Sequence, residues 1–497
     1  MKKQSFITGA FLLAAATGLG KIFSAIFKIP LDNLFLHAEG MAIFNGAYNI
    51  YMFFFAVATA GIPLAISQLV ASSEKEEGER IVSTSLIFTT ASLFIVSLAV
   101  FIFAEPIATA TGMADCALSL RVMAPAITLC SITASLRGYF QGRMNMTPSA
   151  LSQVTDSLGR LLAGFTGAYL LMGKPLGTIS AGAISGTTVG AFLSVSVLVV
   201  FLKKSHLKIR CSFSTAHLKR LLIVAIPITV TASLHPIFNL ADTLTVVPLL
   251  KMAGATDAQS AFGCLSRSAM LYALPVSIAT AVAASALPAV AEHAKRGDAG
   301  ALNRDASLAV RLTLAISVPC AAGFMAIPDG IFGFLFNSTN NSSTLIYIAL
   351  SAVFLSIGEV LSSILQGYGK IKCTVISALV AVISKLALNL VLIRVGHVNG
   401  AAASTSLSYI LFLCMLLLFL KVHTPVRLSV RAHLLKPLFL GVLCFTAAFV
   451  SAMYLPTFPS IIIAAFVYIP AVFVTGMVNI GEINQIFSGH KIEYVCK

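Results

Sequence analysis

Apolar runs of about twenty residues recur from one end of the chain to the other, separated by short polar breaks and with no soluble domain between them. An α-helix rises 1.5 Å per residue, so a run of that length crosses the roughly 30 Å of hydrocarbon in a bilayer. Seven runs fill the first half, at 5–35, 42–70, 81–103, 117–140, 148–172, 179–202 and 220–240. Seven more follow at 265–290, 306–326, 345–365, 373–392, 400–420, 434–453 and 460–478. The pattern predicts an all-α polytopic membrane protein with about 14 transmembrane helices. Composition agrees: 58% of the residues are hydrophobic and 10% charged, far from a soluble globular balance.

The polar breaks carry an uneven charge. A formal net charge of +15 suits nucleic acid, but its placement favours a membrane. With the amino terminus in the cytoplasm, Lys2, Lys3, Lys75, Arg80, Arg137, Arg143, the Lys203–Arg220 cluster, Lys295, Arg296, Arg304, Lys370, Lys372, the Lys421–Lys436 cluster, Lys491 and Lys497 share one side. The opposite loops hold little more than Lys174, Lys251 and Arg394. This is the positive-inside pattern of a cytoplasmic membrane protein, and it puts both termini in the cytoplasm, which requires an even number of spans. The basic loops are expected to meet anionic lipid head groups, and no nucleic-acid partner is expected. The opening Met-Lys-Lys imitates a secretory signal, but Lys21 and the apolar run continuing to Leu36 favour an uncleaved first span.

The chain repeats itself once. A-G-I-P-L-A-I-S-Q-L-V at 60–70 is echoed by S-A-L-P-A-V-A-E at 285–292, which sets Pro63 and Pro288 225 residues apart. R-G-Y-F-Q-G at 137–142 is echoed by Q-G-Y-G-K at 366–370, which sets Tyr139 and Tyr368 229 apart. The expected organisation is two six-helix lobes related by a pseudo-twofold axis, 1–204 and 205–422, with a C-terminal helix pair and tail at 423–497. Transporters built of parallel repeats place substrate between the halves near the midplane.

Charges inside the spans are few, and each is a candidate for function because an ion in hydrocarbon costs at least a few kcal/mol without a partner or water. Lys21 and Lys28 share one face of the first span, Lys28 near Pro30 and Asp32 where a local ion pair or snorkelling explains it almost as well. Asn45, Tyr48, Asn49 and Tyr51 cluster on the second, as cavity lining or as inter-helix hydrogen-bonding groups. Asp156 and Arg160 stand four apart on the fifth, an arrangement that can neutralise itself. Lys385 follows Arg160 by 225 residues, so both lobes place a cation at an equivalent point. Asp242 is a packing partner for Lys385, or a ligand for a coupling cation together with Asn239 and Asn389. Glu359, in the tenth span, accepts hydrogen bonds from neighbouring helices or relays a proton. Arg267 has no acid within a helical turn and joins Lys21 as an unpaired cation.

Nine scattered cysteines without paired spacing read as small apolar fillers, and no cofactor or metal is expected. Asn337 and Asn341 lie in N-x-S/T triplets to which no role is assigned. The chain has no phosphate-binding G-x-x-x-x-G-K-[ST] loop and no H-E-x-x-H, so it is not expected to be an enzyme, and transport would draw on an ion gradient or the membrane potential.

G-K-I-F-S-A-I-F-K-I-P-L, A-E-G-M-A-I-F-N-G-A-Y-N-I-Y, T-A-G-I-P-L-A-I-S-Q-L-V-A, R-G-Y-F-Q-G-R-M-N-M-T-P-S-A-L-S-Q-V and L-P-A-V-A-E, strung over these spans, resemble the bacterial stage V sporulation protein B and polysaccharide flippase family. That family belongs to the multidrug/oligosaccharidyl-lipid/polysaccharide exporter superfamily, which includes the MurJ lipid II flippases. The resemblance implies a two-lobe transporter that moves an undecaprenyl-pyrophosphate-linked oligosaccharide, such as a peptidoglycan precursor, from the inner to the outer leaflet. Basic residues of the first and eighth spans line the cavity of MurJ-type proteins, roles that would fall on Lys21, Lys28 and Arg267, with lysine where the MurJ pattern has arginine and Asn45 where it has an acid. Arg160, Asn45, Tyr48 and Asn49 complete the expected substrate set, and Asp242, Lys385, Asn389, Asp156 and Glu359 the coupling or gating set. Two rivals are a cation-coupled multidrug exporter of the same fold and a non-transporting scaffold for cell-wall synthases.

Overall fold

The structure, a computed structural model, describes residues 6–205 and 213–478. Lys2, Lys3, Lys491 and Lys497, the middle of the Lys203–Arg220 cluster, Cys211 and Cys496 lie outside the described residues. The chain opens with α1 (Phe6–Leu31), a π-helical turn at Asp32–Leu36, α2 (His37–Thr59) and α3 (Gly61–Ala71). There follow α4 (Lys75–Ile102), the short α5 (Ala104–Ala110), α6 (Ala117–Gly142), α7 (Thr147–Leu170) and α8 (Leu176–Lys204). The middle holds α9 (Thr215–Ala232), α10 (Leu234–Met252), α11 (Ala258–Arg296), α12 (Ala299–Ala326) and α13 (Pro328–Phe336). Last come α14 (Ser343–Gly367), α15 (Ile371–His423), α16 (Lys436–Ala452) and α17 (Thr457–Val474). No strand occurs among the described residues.

The all-α polytopic fold follows the apolar pattern. Eleven segments among the described residues are long and apolar enough to cross a membrane. Two of them, Ala15–Ala71 with 57 residues and Ile371–His423 with 53, would each run about 80 Å or more if straight, over twice the hydrocarbon thickness. Each breaks at a histidine in left-handed backbone, His37 (φ 51°) and His397 (φ 49°), and is long enough for two passes. α7 is long enough at 24 residues but too polar to count among the eleven, because it carries Asp156, Arg160 and several Ser and Thr. The arrangement is compatible with fourteen crossings. The run expected at 220–240 is in fact two helices, α9 and α10, parted at Ser233.

Two compact units divide the chain: Met1–Arg267 with Val382–Ser404, and Ser268–Ala381 with Thr405–Lys497. In the first, α6 packs on α2, α3, α4 and α8, and α7 lies between α1 and α8. In the second, α12 packs on α14, α16 and α17, and Tyr468 of α17 donates a 3.1 Å hydrogen bond to the Ala315 carbonyl. The pair formed by α16 and α17 is therefore anchored by a polar bond as well as by apolar packing.

The ends of α6 and α14 are twins. The amides of Arg143, Met144 and Asn145 donate to the carbonyls of Tyr139, Gln141 and Phe140, and those of Tyr368, Gly369 and Lys370 to Ile364, Gln366 and Leu365. Both are helix stops of the Schellman type, closed by a left-handed residue, Met144 (φ 56°) or Gly369 (φ 80°). Every donor and acceptor corresponds at a separation of 225, the separation of Pro63 from Pro288. Tyr368 thus answers to Arg143, one helical turn away from its expected counterpart Tyr139.

Candidate functional site: a cation cluster around Tyr48

The seam between α7 and α8 is built of glycine. Gly159 packs on Gly190, Gly167 on Gly182, and Gly186 on the backbone of Arg160 and Gly164, at distances that leave no room for a Cβ. Small residues at such spacing let membrane helices approach to backbone contact, which fixes the rotation of α7. Gly20 of α1 does the same on the other side, where a Cβ would meet the Ser157 hydroxyl at 2.9 Å. α7 is thereby held so that Asp156 and Arg160 face α2 and α8.

Arg160 donates through Nη1 to the Tyr48 hydroxyl at 2.8 Å and through Nη2 to Asp156 Oδ2 at 3.3 Å. Its guanidinium lies 5.8 Å from the centre of the Tyr48 ring. The Lys28 ammonium sits over the same ring at 4.5 Å and over Phe44 at 6.0 Å. Tyr48 stacks on Phe44 with centroids 5.4 Å apart, so the two rings form one platform. An aromatic face attracts a cation by its quadrupole, worth about 0.5–2 kcal/mol, but it does not neutralise the charge. Lys21, an exposed residue one heptad before Lys28, is close enough for its charge to act on Lys28, and both act on His235 of α10. Lys28 and Arg160 thus share the Tyr48 ring, and of the two only Arg160 is paired with a carboxylate, Asp156, so positive charge is in excess on the platform. Arg160 Nε and Asp156 Oδ1 are buried without a hydrogen-bond partner among the described residues.

The remaining polar residues of α2 are spoken for or enclosed. Asn49 donates to the Thr243 hydroxyl of α10 at 3.0 Å, an inter-helix bond, and Asn45 and Tyr51 are buried. Asn239 bonds to His235 at 3.2 Å and does not join Asp242.

Lys385 has a different setting. Its ammonium, 0% exposed, lies 2.7 Å from Asp242, 2.9 Å from the Ser404 hydroxyl and 3.2 Å from the Ala401 carbonyl. Asn389 donates to Asp242 at 2.9 Å and to Thr245 at 2.8 Å, and accepts from Ser404. The lysine itself fills the oxygen-lined pocket considered for a coupling cation.

Arg267 is not the unpaired cation expected. Its Nε and Nη2 grip Asp32 at 2.7 and 2.6 Å, and the two side chains are 3% and 1% exposed. Asp32 opens the π-helical turn that closes the first helix, and it pairs with Arg267, not with Lys28 four residues earlier. A forked arginine–carboxylate pair this dry is complete in itself. Glu359 belongs to the other unit. It is half-buried in α14 and makes no hydrogen bond or ion pair among the described residues, so the inter-helix bonds expected of it are not formed there.

One functional candidate was missed. Arg137, counted above among the charges of the cytoplasmic side, is half-buried in α6 and bonds through Nε to Ser152 of α7 at 2.8 Å and through Nη2 to Ser194 of α8 at 3.0 Å. The spacing Ser152, Asp156, Arg160 was the available signal, since residues four apart share a helix face.

The family model described as polysaccharide biosynthesis protein matches residues 6–294, more than half of the chain. The chain belongs to the polysaccharide biosynthesis protein family. Among relatives of this family member, the uncharacterized membrane protein YabM of Bacillus subtilis is 27% identical over 419 residues, 82% of this chain and 79% of that protein. The lipid II flippase MurJ of the same organism is 26% identical over 455 residues, 84% of this chain and 83% of the other. A solved structure of lipid II flippase MurJ in an inward closed conformation superposes with a TM-score of 0.74 at 17% identity, covering 94% of this chain and 98% of that one. The polysaccharide biosynthesis family member thus has the fold of that flippase.

Proposed function

We propose that this protein is a flippase for an anionic lipid-linked oligosaccharide, a peptidoglycan precursor resembling lipid II, carried from the inner to the outer leaflet by alternating access. The observation that carries the proposal is the surplus of positive charge on the Tyr48 platform inside a membrane fold, where Lys28 and Arg160 share one ring and, among the described residues, Asp156 is the one acid paired with either. Unbalanced charge in a low-dielectric setting calls for an anion, and a pyrophosphate supplies one that arginine grips with parallel bonds and lysine holds as a point charge. The relative named lipid II flippase supports the substrate class. Lys21 is the exposed member of the set, and the lipid tail stays in the bilayer while the head group enters.

Both termini lie in the cytoplasm under this reading, the chain is divided into lobes at 1–204 and 205–422, and its basic loops rest on anionic lipid. Outward movement of a negative head group from a negative interior gains about 2.3 kcal/mol per charge per 100 mV, so the membrane potential suffices as a drive. A cationic drug would meet repulsion at Lys28 and Arg160, which sets the exporter alternative aside. The test is the accessibility of lipid II at the outer leaflet of cells that lack this protein and any redundant flippase. Accessibility should fall sharply on depletion; unchanged accessibility would remove the proposal.

A further inference from the structure

We propose that Asp156 is an exchange carboxylate, displaced from Arg160 by the incoming anionic head group and taken up by Arg137, which makes Arg137 a positioning residue for transport. The inference rests on the reading that the Tyr48 platform receives that anion.

Arg137 is a cation within the helix bundle whose bonded partners, Ser152 and Ser194, are hydroxyls. These hydroxyls accept from its Nε and Nη2 but supply no counter-charge. Ser152, Asp156 and Arg160 follow one another at four-residue steps on α7, so neighbouring members stand about 5–6 Å apart. Arg137 docks on Ser152, one turn before Asp156, and Arg160 stands one turn after it, so along α7 Asp156 is flanked by the attachment points of two guanidinium groups. Its present attachment is weak. One oxygen meets Arg160 at 3.3 Å, and the other is buried without a partner against Gly190 of α8, where a Cβ would press on it at 3.0 Å.

A doubly charged head group competes for the same Nη2 donor, offers an acceptor to the orphaned Nε of Arg160, and repels Asp156. Arg137, bonded to Ser152 one turn before Asp156, is the cation that can receive it. The exchange would pull Arg137 from Ser152 and Ser194, which tie α6 to α7 and α8. The next residue, Gly138, packs against the Pro63 carbonyl of α3, so a shift of Arg137 reaches that helix directly. Binding at the platform is thereby reported to the α3–α6 contact.

The test uses the full-length protein in nanodiscs with undecaprenyl pyrophosphate as the binding probe, and in proteoliposomes with a fluorescent undecaprenyl-pyrophosphate-linked disaccharide as the transport probe. Asp156→Asn should bind the probe about fivefold tighter, the scale of one competing ion pair removed, yet flip the transport probe more slowly. Arg137→Gln should bind within about twofold of the parent but flip about tenfold more slowly, and Arg137→Lys should recover part of the rate. The double variant should be no slower than the slower single, as expected for residues acting in one exchange. Thermal unfolding of each variant separates these effects from misfolding, with Arg137→Lys the deciding variant if Arg137→Gln is unstable. A folded Asp156→Asn that binds no tighter, or singles whose rate losses multiply, would overturn the exchange. A parent protein that binds no probe overturns the functional reading itself, a distinguishable result.

Discussion

Arg160 in α7 and Lys385 in α15 stand 225 residues apart, the separation of the chain's internal repeat, and each is a cation inside a membrane fold facing an aspartate. Lys385 is enclosed at 0% exposure by a carboxylate, a carbonyl and a hydroxyl, and its aspartate is held in turn by Asn389. Arg160, with a side chain 15% exposed, has a longer bond to its aspartate, a lone phenol where Lys385 has a carbonyl and a hydroxyl, a buried Nε with no hydrogen-bond partner among the described residues, and another cation over the same ring. A charge whose partners are complete holds helices together. A charge left partly unmatched, and reachable, is where a ligand gains most, because the missing partner is the ligand.

That contrast is broken most severely at Lys385. Lys385→Ala strands Asp242 in a dry pocket and should cost about 3–5 kcal/mol of stability, seen as a large drop in apparent unfolding temperature and poor recovery from membranes. Arg160→Ala should invert the pattern: a smaller change in unfolding temperature but a roughly tenfold to hundredfold loss of transport, the scale of a lost charge-assisted bond to phosphate. Lys28→Ala follows, with folding retained and probe binding weakened by about threefold to thirtyfold, the range set by its ring contact of about 0.5–2 kcal/mol. Tyr48→Phe is the finest test. It keeps the ring beneath Lys28 and removes only the hydroxyl bonded to Arg160, so it should cost about 1 kcal/mol and slow transport less than Arg160→Ala.

How much of this was legible in the sequence depends on how local each cause is. The spans follow from runs of apolar residues, and the Lys385–Asp242 pair was foreseeable because two lone intramembrane charges of opposite sign have few other partners. Arg267 was misjudged because its partner Asp32 is 235 residues away and is delivered by a π-helical turn that no residue pattern announced. Asp32 stands four residues after Lys28, a spacing that allows a local pair, but its carboxylate is taken by Arg267. Arg137 was read as a charge near a helix end, whereas serines on α7 and α8 retain it within the bundle. The role of Tyr48 as a shared platform required knowing that α1, α2 and α7 converge, and the glycine seam that seats α7 becomes meaningful only when the facing helix is known.

The central claim, that the partly unmatched cations of the Tyr48 platform carry an anionic lipid head group across the bilayer, is tested most directly by a flipping assay on a triple variant. Lys21→Ala/Lys28→Ala/Arg160→Ala would be reconstituted into proteoliposomes beside the parent at matched protein amount, with unfolding measured on both and a fluorescent undecaprenyl-pyrophosphate-linked disaccharide as substrate. A folded triple variant with no flipping above protein-free vesicles is the expected result, and a folded triple variant that flips at the parental rate would contradict it.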